Sequence, residues 1–183
     1  MSYTFAIKRM VKTVEKKKNN IAEYIIYMYQ SEDLIRTFEC DLNQINSYVI
    51  SNIPASDHEK KELILWYASL IETMQSENIT KSGHLKELKD IISQLTELHN
   101  SLIDTDINYQ EIASKAEPFI KNQIKESANT ITNSIQVCVN AVYGFLLLKL
   151  DGKDVTNEQQ KMLDAFGDLL SYVSYIYKSN IPS

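Results

Sequence analysis

Apolar side chains recur at helical spacing along nearly the whole chain, and few turn-forming residues interrupt them. In the segment 20–40 the apolar positions fall three or four residues apart, which places them on one face of a helix. They are Ile21, Tyr24, Ile25, Met28, Ile35 and Phe38. Only four Gly and three Pro occur in 183 residues, although these residue types mark most turns. The pattern predicts an all-α fold, a single-domain antiparallel bundle of about six to eight helices over residues 1–183.

Capping residues mark the starts of several predicted helices. Asp41 and Asp106 each precede a segment of helical periodicity, and their carboxylates can accept hydrogen bonds from the free amides of a first turn. Segments 56–59 and 156–159 read S-D-H-E and T-N-E-Q, and both predict capping boxes. Pro118 falls inside the helix that Asp106 begins, so we expect a kink or a split there.

The segment 129–150 becomes apolar on every side, which is typical of the most enclosed helix of a bundle. We therefore expect this helix to be central. Gly144 lies in its middle, where glycine costs about 1 kcal/mol relative to alanine. We expect glycine there because a neighbouring backbone approaches closely. The apolar run VCVNAVYGFLLLKL within the segment contains Asn and Lys and is too short to span a bilayer.

The charge of the chain is unevenly distributed. The net charge of −5 argues against nucleic-acid binding by the protein as a whole. Residues 1–20 hold six Lys or Arg and one Glu, a net +5, which leaves −10 for the rest. Apolar residues at helical spacing also occur in this segment, at Ile7, Met10, Val11 and Val14. The sequence predicts a basic amphipathic helix or arm over residues 1–17, which can touch an anionic partner, pair with the acidic body, or form a solvated face.

The cysteines and the N-terminus indicate a cellular compartment. Cys40 and Cys138 are too few for a disulfide framework, so we expect a reducing environment. The N-terminus MSYTFAIKRMVK has no apolar core segment and no small-residue cleavage site, so no signal peptide is expected. These features predict a cytoplasmic protein with no membrane span.

The sequence lacks the usual catalytic and cofactor-binding motifs. Its three histidines lie in neither H-E-x-x-H nor E-x-x-H, and it has no phosphate-cradling glycine loop, nucleophile elbow or zinc-type cysteine pair. We therefore expect no cofactor, no metal and no catalytic residue. One acidic set, Glu59 with Glu62 and Glu87 with Asp90, is similar to the magnesium-binding pairs of helical nucleotide pyrophosphatases of the MazG type. Glu87 and Asp90 lie opposite the leucine stripe of their helix, so we expect them to face water.

Polar residues on apolar faces are the remaining candidates for a site. Glu32 lies on or beside the inward stripe of its helix, and Arg36 follows at i+4. His99 extends a stripe of leucines, while Trp66 and Tyr67 lie on the buried side of another helix. One interpretation is a satisfied internal polar network. The other is a ligand pocket between helices, with Glu32 as acceptor or base, Arg36 as anion clamp, His99 as proton carrier and the aromatic rings as a stacking wall.

Several segments together resemble an all-helical family from Bacteroidota, a domain of unknown function. They are NIAEYIIYMYQSEDLIR, the Trp66–Tyr67 pair, Gly83-His84-Leu85, LTELH at 95–99 and VYGFLLL at 142–148. The resemblance covers about residues 18–180. The chain departs from it in a longer N-terminus and at Tyr29, where the family pattern has Trp. The resemblance implies a cytoplasmic bacterial protein, and it implies neither an activity nor catalytic residues.

These observations favour a non-enzymatic helical bundle that acts through interactions and self-associates as a homo-oligomer. The alternative is a small-ligand-binding or metal-assisted bundle, similar to a nucleotide pyrophosphatase, that uses Glu32, Arg36 and His99 or the acidic pairs. A third interpretation is the binding of an anionic partner by the basic arm. The sequence does not identify a protein partner.

Overall fold

The computed structural model describes residues 17 and 19–180 of the chain. The predicted N-terminal helix over residues 1–17 lies outside the described residues except for Lys17. Seven α-helices and a short 3₁₀ turn at Ile50–Asn52 make up the regular structure of the described part, which has no strand. The helices are α1 (Ile21–Thr37), α2 (Leu42–Tyr48), α3 (Asp57–Ser76), α4 (Lys86–Thr105), α5 (Ile107–Glu126), α6 (Ser134–Leu150) and α7 (Asn157–Ser179). The predicted all-α fold is confirmed.

Side-chain caps begin most of these helices, because the first amides of a helix have no partner within it. The cap accepts a backbone N–H of the first turn in α1, α2, α3, α5, α6 and α7, and the capping residues are Asn20, Asp41, Ser56, Asp106, Asn133 and Thr156. Both predicted capping boxes are present, at Ser56 with Glu59 and at Thr156 with Gln159. The predicted helix starts at Asp41, Ser56, Asp106 and Thr156 are therefore confirmed.

The start of α6 differs from the prediction, which placed it near residue 129. Ala128 and Asn129 have φ angles of 52° and 59°, in the left-handed region that a right-handed helix cannot contain. They close the turn that ends α5. Asn133 then caps α6 by accepting the Gln136 N–H at 2.9 Å.

The helices share one apolar core, as expected for a single-domain bundle. Helices α6 and α7 pack against each other, and both contact α1, α4 and α5. Helix α2 and the 3₁₀ turn lie against α3. Ten of the seventeen residues of α1 are buried, compared with five of the seventeen residues of α6. Helix α6 is therefore in contact with much of the bundle, but the prediction that it is the most enclosed helix is wrong.

The two halves of α6 differ in burial. Its first half supplies four of its five buried residues, and Phe145 is the fifth. In the second half Leu147 and Leu150 are 43% and 42% exposed. Apart from the backbone of its own helix turn and its two chain neighbours, a Cβ placed on Gly144 would meet no atom of the described residues within 4 Å. The predicted close approach of a neighbouring backbone at Gly144 is therefore wrong, and this side of α6 is open.

Two other expectations concern whole helices. Helix α5 continues through Pro118 as one α-helix and is not split there. Among the described residues, no helix combines the length and the apolar character that crossing a membrane requires.

Candidate functional site

Glu32 lies in the core, with a side chain that is fully buried. Its Oε1 accepts a 2.9 Å hydrogen bond from the backbone N–H of Leu85, and its Oε2 lies 2.6 Å from Nδ1 of His84. With Glu32 as a carboxylate, which can only accept, Nδ1 of His84 is the donor of this bond. Burial of a charge costs several kcal/mol unless the charge is paired. These bonds therefore stabilise the acid and hold the segment before α4 against α1.

Arg36 adds a second tie between α1 and the loop before α4. Its guanidinium lies 3.8 Å from Oε2 of Glu32 and donates 2.9 Å to Oδ1 of Asp33. It also donates to the carbonyl of Ile79 at 3.2 Å and to that of Gly83. The side chain is only 16% exposed, so water screens these interactions weakly. The Nε–H of Arg36 is enclosed and has no hydrogen-bond partner among the residues that the structure describes.

Two tyrosines pack around these charges. The Tyr29 ring stacks on the imidazole of His84, with centroids 3.6 Å apart and planes 11° apart. Tyr143 meets Tyr29 edge-on at 5.6 Å and donates a 2.5 Å hydrogen bond to Oδ2 of Asp33. Burial raises the pKa of Tyr29 to about 12, and burial with the Asp33 hydrogen bond raises the pKa of Tyr143, so both hydroxyls stay protonated near neutral pH. The name polar cluster refers below to Tyr29, Glu32, Asp33, Arg36, His84 and Tyr143.

The structure brings together only some of the five residues singled out from the sequence. Glu32 and Arg36 meet in the polar cluster. Trp66 is half-buried and meets Tyr67 edge-on, with ring centroids 4.9 Å apart. Tyr67 is fully buried. The Trp66 ring also contacts Tyr27 of α1, with centroids 5.7 Å apart, so these aromatic rings join α3 to α1.

His99 pairs with Tyr109 of α5 instead of with Glu32. Its side chain is buried, and its Nδ1 lies 2.5 Å from the Tyr109 hydroxyl. Burial lowers the pKa of His99 and raises that of Tyr109, so both groups are neutral near neutral pH, and one hydrogen bond joins Nδ1 to the hydroxyl. The Tyr109 ring also contacts Tyr172 of α7, whose hydroxyl donates to Asp106 at 2.6 Å. The pair thus joins α4, α5 and α7.

An open groove of about 500 Å³ lies between the C-terminal end of α5, α6 and the start of α7. Its apolar lining residues are Ile131, Val137, Ala141, Gly144, Phe145, Leu148 and Met162. Its polar lining residues are Gln123, Ser127, Asn140 and Gln159. None of the five residues singled out from the sequence lines it. We call this the α6 groove, and the exposed Leu147 and Leu150 belong to the same half of α6.

The acidic pairs do not assemble into a metal centre in the described part of the chain. No group of three or more His, Cys, Asp or Glu among residues 17 and 19–180 could hold an ion. Glu87 and Asp90 are 45% and 54% exposed, so they face water as predicted. Glu87 pairs with Lys17, and Asp90 pairs with Lys86. These acids form surface ion pairs, which contribute about 0–1 kcal/mol each.

Sequence reasoning did not place His84 in the cluster. His84 lies in the loop before α4, where helical periodicity carries no information about burial. Its contact with Glu32 joins positions 52 residues apart, which no local pattern predicts. Its one signal was the segment Gly83-His84-Leu85, which belongs to the family resemblance described above.

The fold and these contacts define a single-domain helical bundle with a buried, internally paired polar cluster and an open apolar groove. Within that class the chain belongs to the family described as Domain of unknown function (DUF4924), whose model matches residues 10–181. A comparison with curated proteins and one with solved structures each found no match.

Proposed function

We propose that this protein is a self-associating interaction protein and that a second copy binds at the open end of α6. The observation that carries the proposal is the exposure of Leu147 and Leu150 in the second half of α6, the half whose Gly144, Phe145 and Leu148 line the α6 groove. Each 100 Å² of apolar surface removed from water contributes about 2.5 kcal/mol. Covering these leucines and the groove on both copies would therefore supply a driving force for association.

The charges around this end of α6 support a second copy as the partner. Lys149 and Lys153 balance Asp151 and Asp154, although the whole chain carries a net charge of −5. Lys153 and Asp151 already pair at 2.9 Å. In a two-fold dimer the same patch meets itself, so a balanced patch avoids the repulsion that an acidic one would create. Apolar character and balanced charge together favour self-association at this surface.

The proposal assigns the polar cluster a structural role. Its charged groups find their partners within the chain and fix the loop at 79–85 against α1. The rival proposal, a ligand site that uses Glu32, Arg36, Trp66, Tyr67 and His99, predicts that nucleotides or divalent cations raise the melting temperature. A thermal-shift screen with nucleotides, Mg²⁺, Mn²⁺ and Zn²⁺ separates the two roles.

Sedimentation velocity over a wide concentration range tests the self-association. The natural chain should form a dimer as its concentration rises, and the double variant Leu147→Glu, Leu150→Glu should stay a monomer. The matched control is Leu65→Glu on α3, since Leu65 is 70% exposed and lies outside the α6 groove. The control should dimerise like the natural chain. A natural chain that stays monomeric throughout, or a double variant that still dimerises, would contradict the proposal.

The proposed setting is the cytoplasm of a bacterium, with an origin in Bacteroidota as the family resemblance implies. Cys40 and Cys138 are both free thiols, which suits a reducing compartment. Fractionation of cells that produce the tagged protein would check the location, and recovery in the periplasmic fraction would contradict it.

A further inference from the structure

The wall that α6 gives to the α6 groove is apolar except for the side chain of Asn140. Within the lining that the structure describes, α6 contributes Val137, Asn140, Ala141, Gly144, Phe145 and Leu148. Asn140 is the only one of these with a hydrogen-bonding side chain. It lies in the interior of α6, where the backbone bonds of the helix are already complete and no capping side chain is needed.

The other polar lining residues of the α6 groove differ from Asn140 because they lie at helix ends. The Oγ of Ser127 donates to the carbonyl of Ile124 at 2.8 Å, where α5 ends. Gln123 bonds within the last turn of α5, and Gln159 completes the capping box of α7. The ends of α5 and α7 therefore account for these three side chains, but not for Asn140.

Two hydrogen bonds hold the Asn140 amide in place. Nε2 of Gln136 donates to Oδ1 of Asn140 at 2.6 Å and to the hydroxyl oxygen of Tyr29 at 3.0 Å. Gln136 and Asn140 are four residues apart, so they lie on the same face of α6. Tyr29 is 1% exposed and stacks on His84, so this chain of bonds ends in the polar cluster. The position of the amide is therefore fixed within the monomer.

The Asn140 amide keeps hydrogen-bonding capacity on the side of the groove. A carboxamide has two N–H donors and an oxygen with two lone pairs, and the bond to Gln136 uses one lone pair. The Asn140 side chain forms no other hydrogen bond within the described residues. Gly144 follows one turn later and has no side chain that could cover the amide. The half-buried amide can therefore bond to water or to a partner in the groove.

We propose that Asn140 forms a hydrogen bond to the second copy in the α6 groove and so determines how that copy is seated, with Gln136 as its positioning residue. This inference rests on the proposed self-association. A copy that covers the groove removes water from the amide, and an amide without a new partner weakens the association. One held polar group on an apolar surface fixes the register, because other registers leave it unpaired. Since the side chain is already held, it loses little conformational freedom on binding.

A double-mutant cycle on the dimer dissociation constant, measured by sedimentation, tests both roles. Asn140→Ala should raise the constant by about 10- to 100-fold, since the bond forms twice in a two-fold dimer. Gln136→Ala should raise it by a smaller factor, and should add nothing in the Asn140→Ala background because Gln136 acts through Asn140. The matched control is Asn43→Ala on α2, an exposed position outside the groove, which should dimerise like the natural chain. Alanine favours the helix, so every variant should fold.

The outcomes separate this inference from the proposed function. A natural chain that stays monomeric contradicts the self-association and, with it, the role of Asn140. A natural chain and an Asn140→Ala variant that dimerise with the same dissociation constant overturn the inference alone. If the effects of Asn140→Ala and Gln136→Ala add, Gln136 is not a positioning residue for Asn140.

Side-chain amide NMR signals supply a second test that needs no change in the interface. The Asn140 NH₂ signals, assigned by their loss in Asn140→Ala, should shift when the natural chain is diluted from dimer to monomer. The NH₂ signals of the exposed Asn43 should stay unchanged. Asn140 signals that do not move while sedimentation shows the dimer dissociating would mean that the amide does not contact the second copy.

Discussion

The polar cluster and the open end of α6 reverse the usual relation between chemistry and burial. Glu32 is an acid but is fully buried, whereas Leu147 and Leu150 are apolar but exposed. The acid has hydrogen bonds from His84 and Leu85 that replace water. The leucines have no comparable cover among the described residues. A buried acid whose hydrogen-bond partners lie within the chain indicates a structural role. An uncovered apolar surface indicates a binding site for another molecule.

The difference shows why unusual burial alone does not identify a functional site. Residues of both kinds depart from the pattern expected of their type. Only the contacts separate them, since the acid is satisfied within the chain and the leucines are not. Substitutions in the two regions should therefore differ in kind, with effects on folding in the first and on association in the second.

The largest effect should come from Glu32→Ala. Truncation of one partner of a buried ion pair typically destabilises by about 3–5 kcal/mol, because the remaining charge and the backbone N–H lose their acceptor. Here those groups are Arg36, His84 and the Leu85 amide. Urea denaturation measures the free energy of unfolding. The control Glu72→Ala removes an exposed acid of α3 and should cost less than about 0.5 kcal/mol. An equal cost for both variants would mean that the cluster is not structural.

The next effect is a pH dependence of the free energy of unfolding. It comes from the buried, neutral His99–Tyr109 pair and not from the polar cluster. Burial lowers the pKa of His99 in the folded protein, so the unfolded chain binds more protons below its own histidine pKa of about 6.5. Stability should then fall as the pH drops below about 6.5, with a slope of at most about 1.4 kcal/mol per pH unit, and level off below the folded pKa. Above about pH 7.5 the His99 contribution should be flat.

The His99→Gln variant isolates this contribution, since the Gln amide can donate or accept and so can keep a hydrogen bond to the Tyr109 hydroxyl. Unfolding free energies of the natural chain and the variant should run parallel above about pH 7.5 and diverge below about 6.5. The natural chain should lose more stability on acidification. Parallel curves down to pH 5 would show that His99 is not buried as a neutral ring.

Local signals predicted much of the fold, whereas contacts between distant segments were not predictable. Asp41, Asp106 and the capping box at Ser56 were predicted because a cap and the amides it binds lie within four residues. The burial of Glu32 was predicted from its helix face. Its partner His84 was not, because a loop residue 52 positions away has no periodicity. The burial of α6 was wrongly predicted for the same reason. The apolar sequence of a helix does not show which of its faces the other helices cover.

The smallest effect, from Gly144→Ala, separates folding from association at the α6 groove. Alanine is more favourable than glycine in a helix interior by about 0.5–1 kcal/mol. The added Cβ meets no atom of a neighbouring described element within 4 Å, so the variant should be more stable by about this amount in urea denaturation of the monomer. If a second copy lies in the groove beside Gly144, the same methyl group occupies space that the partner needs, and sedimentation should show weaker dimerisation. Greater stability with unchanged dimerisation would place the partner on Leu147 and Leu150 but away from Gly144. Lower stability would contradict the finding that the space beside Gly144 is open.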